Sequence, residues 1–263
     1  MSEYRILFLG DVVGRPGRIA VRTGLPSLIE SLEPRFVVVN GENSAGGVGI
    51  TPDIADEIYR AGAHAITLGN HTFNKREIVP YLDAGHPIVR PANYPPGVPG
   101  RGVCIIEREG TRLAVMNVCG RVFLDGYDDP FACFDRLLAA VDTPHVVLDF
   151  HAEATSEKIA MGYHADGRAT VVVGTHTHVP TADETVLPGG TAYITDVGMC
   201  GPVGSVLGMD RDIILRKFRT SMPQKFEVQE APGTIHGVIV DVEESTGRAL
   251  AISRIRFGTD DGR

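Results

Sequence analysis

The sequence lacks a long apolar run, an excess of positive charge and any paired-cysteine motif, and each absence removes a class of function. Its 263 residues carry 25 Lys and Arg against 33 Asp and Glu, a formal net charge of -8. A wide basic face gripping nucleic acid through its phosphates is therefore not expected, which leaves a small anion or a short RNA segment held locally. No apolar stretch approaches the roughly 20 residues that a membrane span needs, so no membrane partner is expected. Met1-Ser2-Glu3-Tyr4-Arg5 leads directly into a strand-like run, without the basic and apolar regions of a secretory leader, and a cytoplasmic protein is expected. Cys104, Cys119, Cys133 and Cys200 form no CxxC pair, which argues for reduced thiols in a core. No sustained repeat, low-complexity block or linker interrupts the chain, so residues 1–263 are read as one domain, with 258–263 frayed.

What the chain has in quantity is glycine, 31 residues, concentrated after apolar runs. Tyr4 to Leu9 reads as a strand ending in Gly10-Asp11, and a helix is predicted from Pro16 to about Ser31, with Ile19, Val21, Leu25, Leu28 and Ile29 on its apolar face. The pattern recurs: Arg35 to Val39 runs into Asn40-Gly41-Glu42-Asn43-Ser44, and Thr51-Pro52 opens a helix with a good N-cap and a proline at its first position. It recurs again at Ala63 to Leu68, Gly69-Asn70-His71-Thr72 and a helix from about Lys75 to Asp83. Strands alternating with helices imply βαβ crossovers and a parallel sheet, with ligands at the carboxyl ends of its strands.

After Pro91 the rhythm changes. Gly102–Ile106 and Thr111–Val118 read as a hairpin, Phe131–Val141 as a helix, Val146–Phe150 as a strand ending in His151, and Ser156 to about His164 as a helix. Ala169–Gly174 and Thr191–Asp196 are further strands, Gly198–Gly208 is glycine-rich, Ile213–Phe218 reads as a short helix or strand, and Ile235–Val242 pairs with Ala249–Phe257. The pattern is α/β with added hairpins, and the sheet is expected to be mixed.

Thr175-His176-Thr177-His178 stands at the end of one buried strand. In extended backbone, i and i+2 point to one side, so both imidazoles are expected to aim at one point. Collected along the chain, the strand-end residues are Asp11, Glu42, Asn43, Asn70, His71, His151, His176 and His178. Singly, Asp11 has an ordinary reading as a helix cap, Asn43 as a turn residue and His151 as an interior histidine. Together these carboxylates, carboxamides and imidazoles suffice for two divalent metals with one carboxylate between them. His64, His86, His145, His164 and His236 lack the strand-end placement and are read as ordinary histidines.

Gly10-Asp11, Gly41-Glu42-Asn43, Gly69-Asn70-His71, His151 and Gly174-Thr175-His176-Thr177-His178 resemble, in order, the signature blocks of the calcineurin-like metallophosphoesterases. Phe8 to Gly14, Asn40 to Ser44, Leu68 to His71, Ala154 to Ile159 and Val173 to Val179 are similar to one bacterial branch, the YmdB-like 2',3'-cyclic-nucleotide 2'-phosphodiesterases. The resemblance implies a two-sheet sandwich of mixed strands flanked by helices. It implies that Asp11, Glu42, Asn43 and His178 hold one metal and Glu42, Asn70, His151 and His176 the other, and that His71 is the proton donor. Two divalent or mixed-valence ions, iron or manganese, are the implied cofactors, and the ligands alone leave zinc open.

The implied reaction hydrolyses 2',3'-cyclic nucleotides to 3'-nucleotides by attack of hydroxide generated at the metals. Rival readings are a broader phosphodiesterase or RNA nuclease, or a metal-containing nucleotide-binding regulator; self-association is left open. Arg15 and Arg18, beside Asp11, are candidate phosphate contacts, weighed against solvent-facing charge. Two departures from the wider superfamily are shared with the branch. Asp11-Val12-Val13 replaces Asp-x-His, and Thr72 follows His71 where an acid is usual.

Overall fold

In the computed structural model, which describes residues 2–258, the chain runs β1 (Glu3–Leu9), β2 (Asp11–Val12), α1 (Gly14–Leu32), β3 (Phe36–Asn40), α2 (Pro52–Arg60), β4 (Ala65–Thr67), α3 (Ile78–Asp83) and β5 (Ile88–Val89). It continues through β6 (Val103–Arg108), β7 (Thr111–Cys119), α4 (Pro130–Ala139), β8 (Val146–His151), α5 (Thr155–Ala165) and β9 (Val171–Thr175). Last come β10 (Thr185–Val186), β11 (Ala192–Ile194), β12 (Met199–Pro202), α6 (Arg211–Thr220), β13 (Gly233–Glu243) and β14 (Ala249–Gly258).

Alternation along the strands sorts the side chains into three apolar cores and so fixes four layers. Leu7 and Leu9 of β1, with Val37 and Val39 of β3, pack under Val21, Leu25 and Leu28 of α1 and Ile58 of α2. The opposite face of the same strands, Ile6, Phe8, Phe36 and Val38, meets Val115, Val147, Val171 and Val173 of a second sheet. The outer face of that second sheet, Met116, Leu148, Phe150 and Val172, is covered by Phe134 of α4 and Met161 of α5. The result is two mixed sheets packed face to face, with helices outside both.

The first sheet has eight strands in the order β2-β12-β13-β1-β3-β4-β5, with β14 on β13; the second has six, β10-β11-β9-β8-β7-β6. β1, β3, β4 and β5 run parallel, as do β7, β8, β9 and β11. The hairpins β6-β7 and β13-β14 supply antiparallel pairs.

Several details differ from the sequence expectation. β2, β5, β10 and β12 are two to four residues long, too short to carry a periodic signal, and β12 lies inside the glycine-rich stretch Gly198–Gly208. Residues 213–218 belong to helix α6, capped by the Asp210 side chain accepting from Ile213 N at 2.9 Å. Thr51 sits at the N-cap of α2 but makes no side-chain capping bond, so Pro52 carries the start signal. Of the tail expected to fray, Gly258 closes β14 and 259–263 lie outside the described residues. All four cysteines are free and buried.

The interior between the sheets depends on large side chains that cannot be replaced locally. Phe8 is fully buried there, and Phe8→Ala is expected to cost about 3–5 kcal/mol in chemical denaturation. A loss below about 1 kcal/mol would mean that the two sheets do not close on each other as described.

Candidate metal centre

The carboxyl ends of β1, β3 and β4 in one sheet and of β8 and β9 in the other open on one crevice, and Asp149 ties them together. Its Oδ2 accepts hydrogen bonds from Asn40 Nδ2 at 2.9 Å and from Thr67 Oγ1, and its Oδ1 accepts from Thr175 Oγ1 at 2.6 Å. Because the Thr175 hydroxyl donates to Asp149, it accepts from His151 Nδ1, 2.8 Å away. That chain of bonds fixes the ring and turns His151 Nε2 into the crevice.

There His151 Nε2 lies 3.1 Å from Glu42 Oε1, 2.8 Å from Asn70 Oδ1 and 3.1 Å from His176 Nδ1. Glu42, His151 and His176 can each place one donor atom within 4.8 Å of the others, a spacing suited to a metal ion. A second group adjoins the first through Glu42, whose Oε1 also accepts from Asn43 Nδ2 at 3.0 Å. Asn43 Nδ2 is 3.1 Å from His178 Nε2, which lies 3.8 Å from Asp11 Oδ1. His178 Nδ1 donates to Leu207 O at 3.0 Å, so its Nε2 also faces inward. All seven expected ligands are thus in one cluster, in two groups that share Glu42.

Two buried oxygens of this cluster, Asp11 Oδ1 and Asn43 Oδ1, have no hydrogen-bond partner. Such orphans are costly unless something with positive charge meets them. The mixed oxygen and imidazole donor set, with Asp11 and Glu42 wholly buried, therefore fits a divalent cation. Gly69 makes room for the cluster: a Cβ there would fall 2.2 Å from Glu42 Oε2 and 2.5 Å from His151 Nε2.

The charges are strongly linked. Burial works against ionised Glu42, but the neighbouring His151 outweighs it and holds the carboxyl at about 2. Burial likewise disfavours the His151 imidazolium, yet Glu42 raises it to about 9. Asp11 is pushed up to about 6 by burial, against His178 and His151, and His176 is driven down to about 3 by burial and by His151.

The extended-backbone argument for His176 and His178 does not hold. β9 ends at Thr175, and the two histidines have φ of +92° and +66°, a region that L-residues adopt at a cost. Asp196 holds the strained turn. Its Oδ2 accepts from Thr177 N at 3.2 Å, Thr177 Oγ1 at 2.7 Å and Lys158 Nζ at 2.7 Å, while its Oδ1 accepts from Gly198 N at 2.8 Å. Lys158 and Asp196 are both buried. Gly174 lets the strand lie against this segment, since a Cβ would be 1.7 Å from Thr195 O.

His71 is half-buried at the mouth of the crevice. Its N–H donates to Glu42 Oε2 at 3.1 Å, and its Nδ1 lies 3.4 Å from Asn74 Oδ1. No carboxylate pairs with the ring among the described residues, while Thr72 Oγ1 turns back to donate to Gly69 O at 2.7 Å. Arg15 and Arg18 lie elsewhere, lining a cavity between α1 and α2 with Arg22, Asp53, Glu57 and Arg60. Arg18 is held by Glu57 at 2.8 Å. Sequence reasoning missed Asp149, Lys158, Asp196 and also Glu153, whose Oε2 is 3.1 Å from His176 Nε2. A charged residue inside the apolar run Val146-Val147-Leu148-Asp149-Phe150 was the one available signal.

The model of the family described as YmdB-like protein matches residues 7–255. The chain belongs to the YmdB-like family. A 2',3'-cyclic-nucleotide 2'-phosphodiesterase of Bacillus subtilis (strain 168) is 51% identical over 258 residues, which cover 97% of this chain and 98% of that protein. Among solved structures, a hypothetical protein from Thermus thermophilus matches with a TM-score of 0.92 at 42% identity, over 97% of this chain and 99% of that one. A structure described as a novel phosphatase from Mycoplasma pneumoniae matches with a TM-score of 0.92 at 35% identity, over 98% and 94%. The shared YmdB-like fold is thus the two-sheet, helix-flanked arrangement described above.

Two measurements test the geometry. Asp196→Asn leaves the Lys158 ammonium buried without its counter-charge and is expected to cost about 3–5 kcal/mol. Asp196→Asn combined with Lys158→Met is expected to restore most of that stability without restoring cation affinity; full recovery of both would show that the clamp does not position the histidines. Near pH 7 His151 holds a proton that a cation at Nε2 must displace, so calorimetric Mn²⁺ titrations in buffers of different ionisation heat are expected to report close to one proton released. Release fades above pH about 9, where His151 is already neutral. Absence of release at pH 7 would show that His151 is already neutral before the cation arrives, contrary to its pairing with Glu42.

Proposed function

We propose that the chain is a metal-dependent phosphodiesterase that opens 2',3'-cyclic nucleotides to 3'-nucleotides. The observation that carries this reading is the buried Glu42 carboxylate between two donor groups, Asn70-His151-His176 and Asp11-Asn43-His178, with Asp11 Oδ1 and Asn43 Oδ1 unpartnered. The cyclic-nucleotide specificity is carried over from the Bacillus subtilis relative at 51% identity.

When bound, two divalent or mixed-valence ions acidify a water and take up the negative charge that develops on the phosphate. The protein's own groups do the rest. Glu42 spans the two donor groups and keeps them in register. Asn43 and Asn70 add donors without adding negative charge, which leaves the loaded crevice attractive to an anionic diester. The Thr175–Asp149 relay holds His151, and the Asp196–Lys158 clamp holds the turn of His176 and His178, so little reorganises during reaction. His71, at the mouth and outside both donor groups, gives a proton to the departing 2' oxygen. Asn74 Oδ1 lies 3.4 Å from its Nδ1 and orients the ring, which gives the proton from Nε2, 3.4 Å from Asn70 Nδ2. Cleavage of the bond from phosphorus to the 2' oxygen leaves the phosphate on the 3' position.

Glu42→Gln is expected to lower metal stoichiometry and hydrolysis together. His71→Ala is expected to keep the full metal content while turnover of a 2',3'-cyclic nucleotide falls about 10²- to 10⁴-fold. Elemental analysis alongside product chromatography reads both; hydrolysis by His71→Ala at the wild-type rate would remove His71 from the reaction.

A further inference from the structure

The three histidines of the donor cluster do not face it alike. His151 and His178 turn Nε2 inward, and each has its Nδ1 anchored, the first on Thr175 Oγ1 and the second on Leu207 O. His176 is reversed. Its Nδ1 lies 3.1 Å from His151 Nε2, and its Nε2 lies 3.1 Å from Glu153 Oε2. For Nδ1 to serve as a donor to a cation, the single proton of the neutral ring must sit on Nε2.

Glu153 stands two residues past His151, in the turn between β8 and α5, so one turn delivers a cluster histidine and a carboxylate that reaches the neighbouring one. Its side chain is 47% exposed, and among the described residues it forms no other ion pair. A carboxylate at the edge of the crevice works against capture of an anionic diester, so its charge is a cost unless it serves the centre in another way.

We propose that Glu153 is a positioning residue, which keeps the His176 proton on Nε2 and holds the ring so that Nδ1 faces the group formed with Glu42, Asn70 and His151. The proposal rests on the metal-dependent reading of that group. A bare Nε2 lone pair 3.1 Å from a carboxylate oxygen is repelled, whereas an N–H in its place is attracted, so the contact selects one tautomer. His151 does not select it instead, because its Nε2 proton is claimed by Asn70 Oδ1 at 2.8 Å and Glu42 Oε1 at 3.1 Å. Nor does the sheet orient the ring, since His176 lies past the end of β9 with φ of +92°. A carboxylate against one imidazole nitrogen also strengthens the other as a donor.

The test compares the wild type with Glu153→Ala and Glu153→Gln, substitutions at an exposed position. In metal-free protein, long-range proton–nitrogen NMR is expected to place the His176 proton on Nε2 in the wild type and in Glu153→Gln, whose amide oxygen still accepts. Glu153→Ala is expected to show both tautomers. In Mn²⁺ titrations Glu153→Ala is expected to lose about 10- to 100-fold in affinity at one of two sites, with most of the loss recovered in Glu153→Gln. A tautomer or an Mn²⁺ affinity that Glu153→Ala leaves unchanged overturns the role. Equal losses at both sites, or equal losses in the two variants, overturn it as well. Neither arm uses a nucleotide, so a wild type that binds Mn²⁺ but hydrolyses no cyclic nucleotide overturns the hydrolytic reading and leaves the role of Glu153 standing. A wild type that binds no Mn²⁺ overturns the centre itself and the proposal with it.

Discussion

Four wholly buried carboxylates, Asp11, Glu42, Asp149 and Asp196, stand close to one another at one end of the inter-sheet crevice, and the balancing of their charge governs the rest of the structure. An unpaired buried carboxylate is very costly, so each must be met by donors or by a cation. Asp196 has Lys158 and three further donors, and Asp149 has Asn40, Thr67 and Thr175. Glu42 has His151, Asn43 and the N–H of His71. Asp11 accepts from His176 N at 3.2 Å but keeps one oxygen without a partner. The shortfall of positive charge is thus local to the donor cluster, which is where cations are proposed to sit.

The two-sheet architecture is what makes this concentration possible. No single parallel sheet offers donors from two opposed rows of strand ends. Here β1, β3 and β4 bring the acids and amides, β8 and β9 bring the imidazoles, and Asp149 reaches from β8 to β3 and β4 to lock the rows together. The strained His176 and His178 backbone persists because Asp196 over-determines Thr177 between them, and α5 supplies the lysine that lets Asp196 be buried.

Much of this was legible in the sequence because parallel βαβ units place chemistry at strand ends and the glycines mark those ends. Asp11, Glu42, Asn43, Asn70, His151, His176 and His178 were all reachable from that rule. The conformation of the His176-Thr177-His178 turn was not, since alternation predicts side chains only while the backbone stays extended. Nor was β12, whose pairing of Met199 with Asp11 and of Cys200 with Val12 is set by tertiary contacts within a glycine-rich segment. Lys158 and Asp196 are 38 positions apart, and nothing in local pattern announces that one buries its charge against the other. Arg15 and Arg18 follow Asp11 closely in sequence, but the turn into α1 carries them to the face shared with α2.

The central claim, that Glu42 joins two cation sites, is tested most directly by anomalous diffraction from crystals grown with Mn²⁺. Two strong peaks are expected with Glu42 between them, one against Asp11, Asn43 and His178 and the other against Asn70, His151 and His176. A single peak, or peaks that do not touch Glu42, would contradict it.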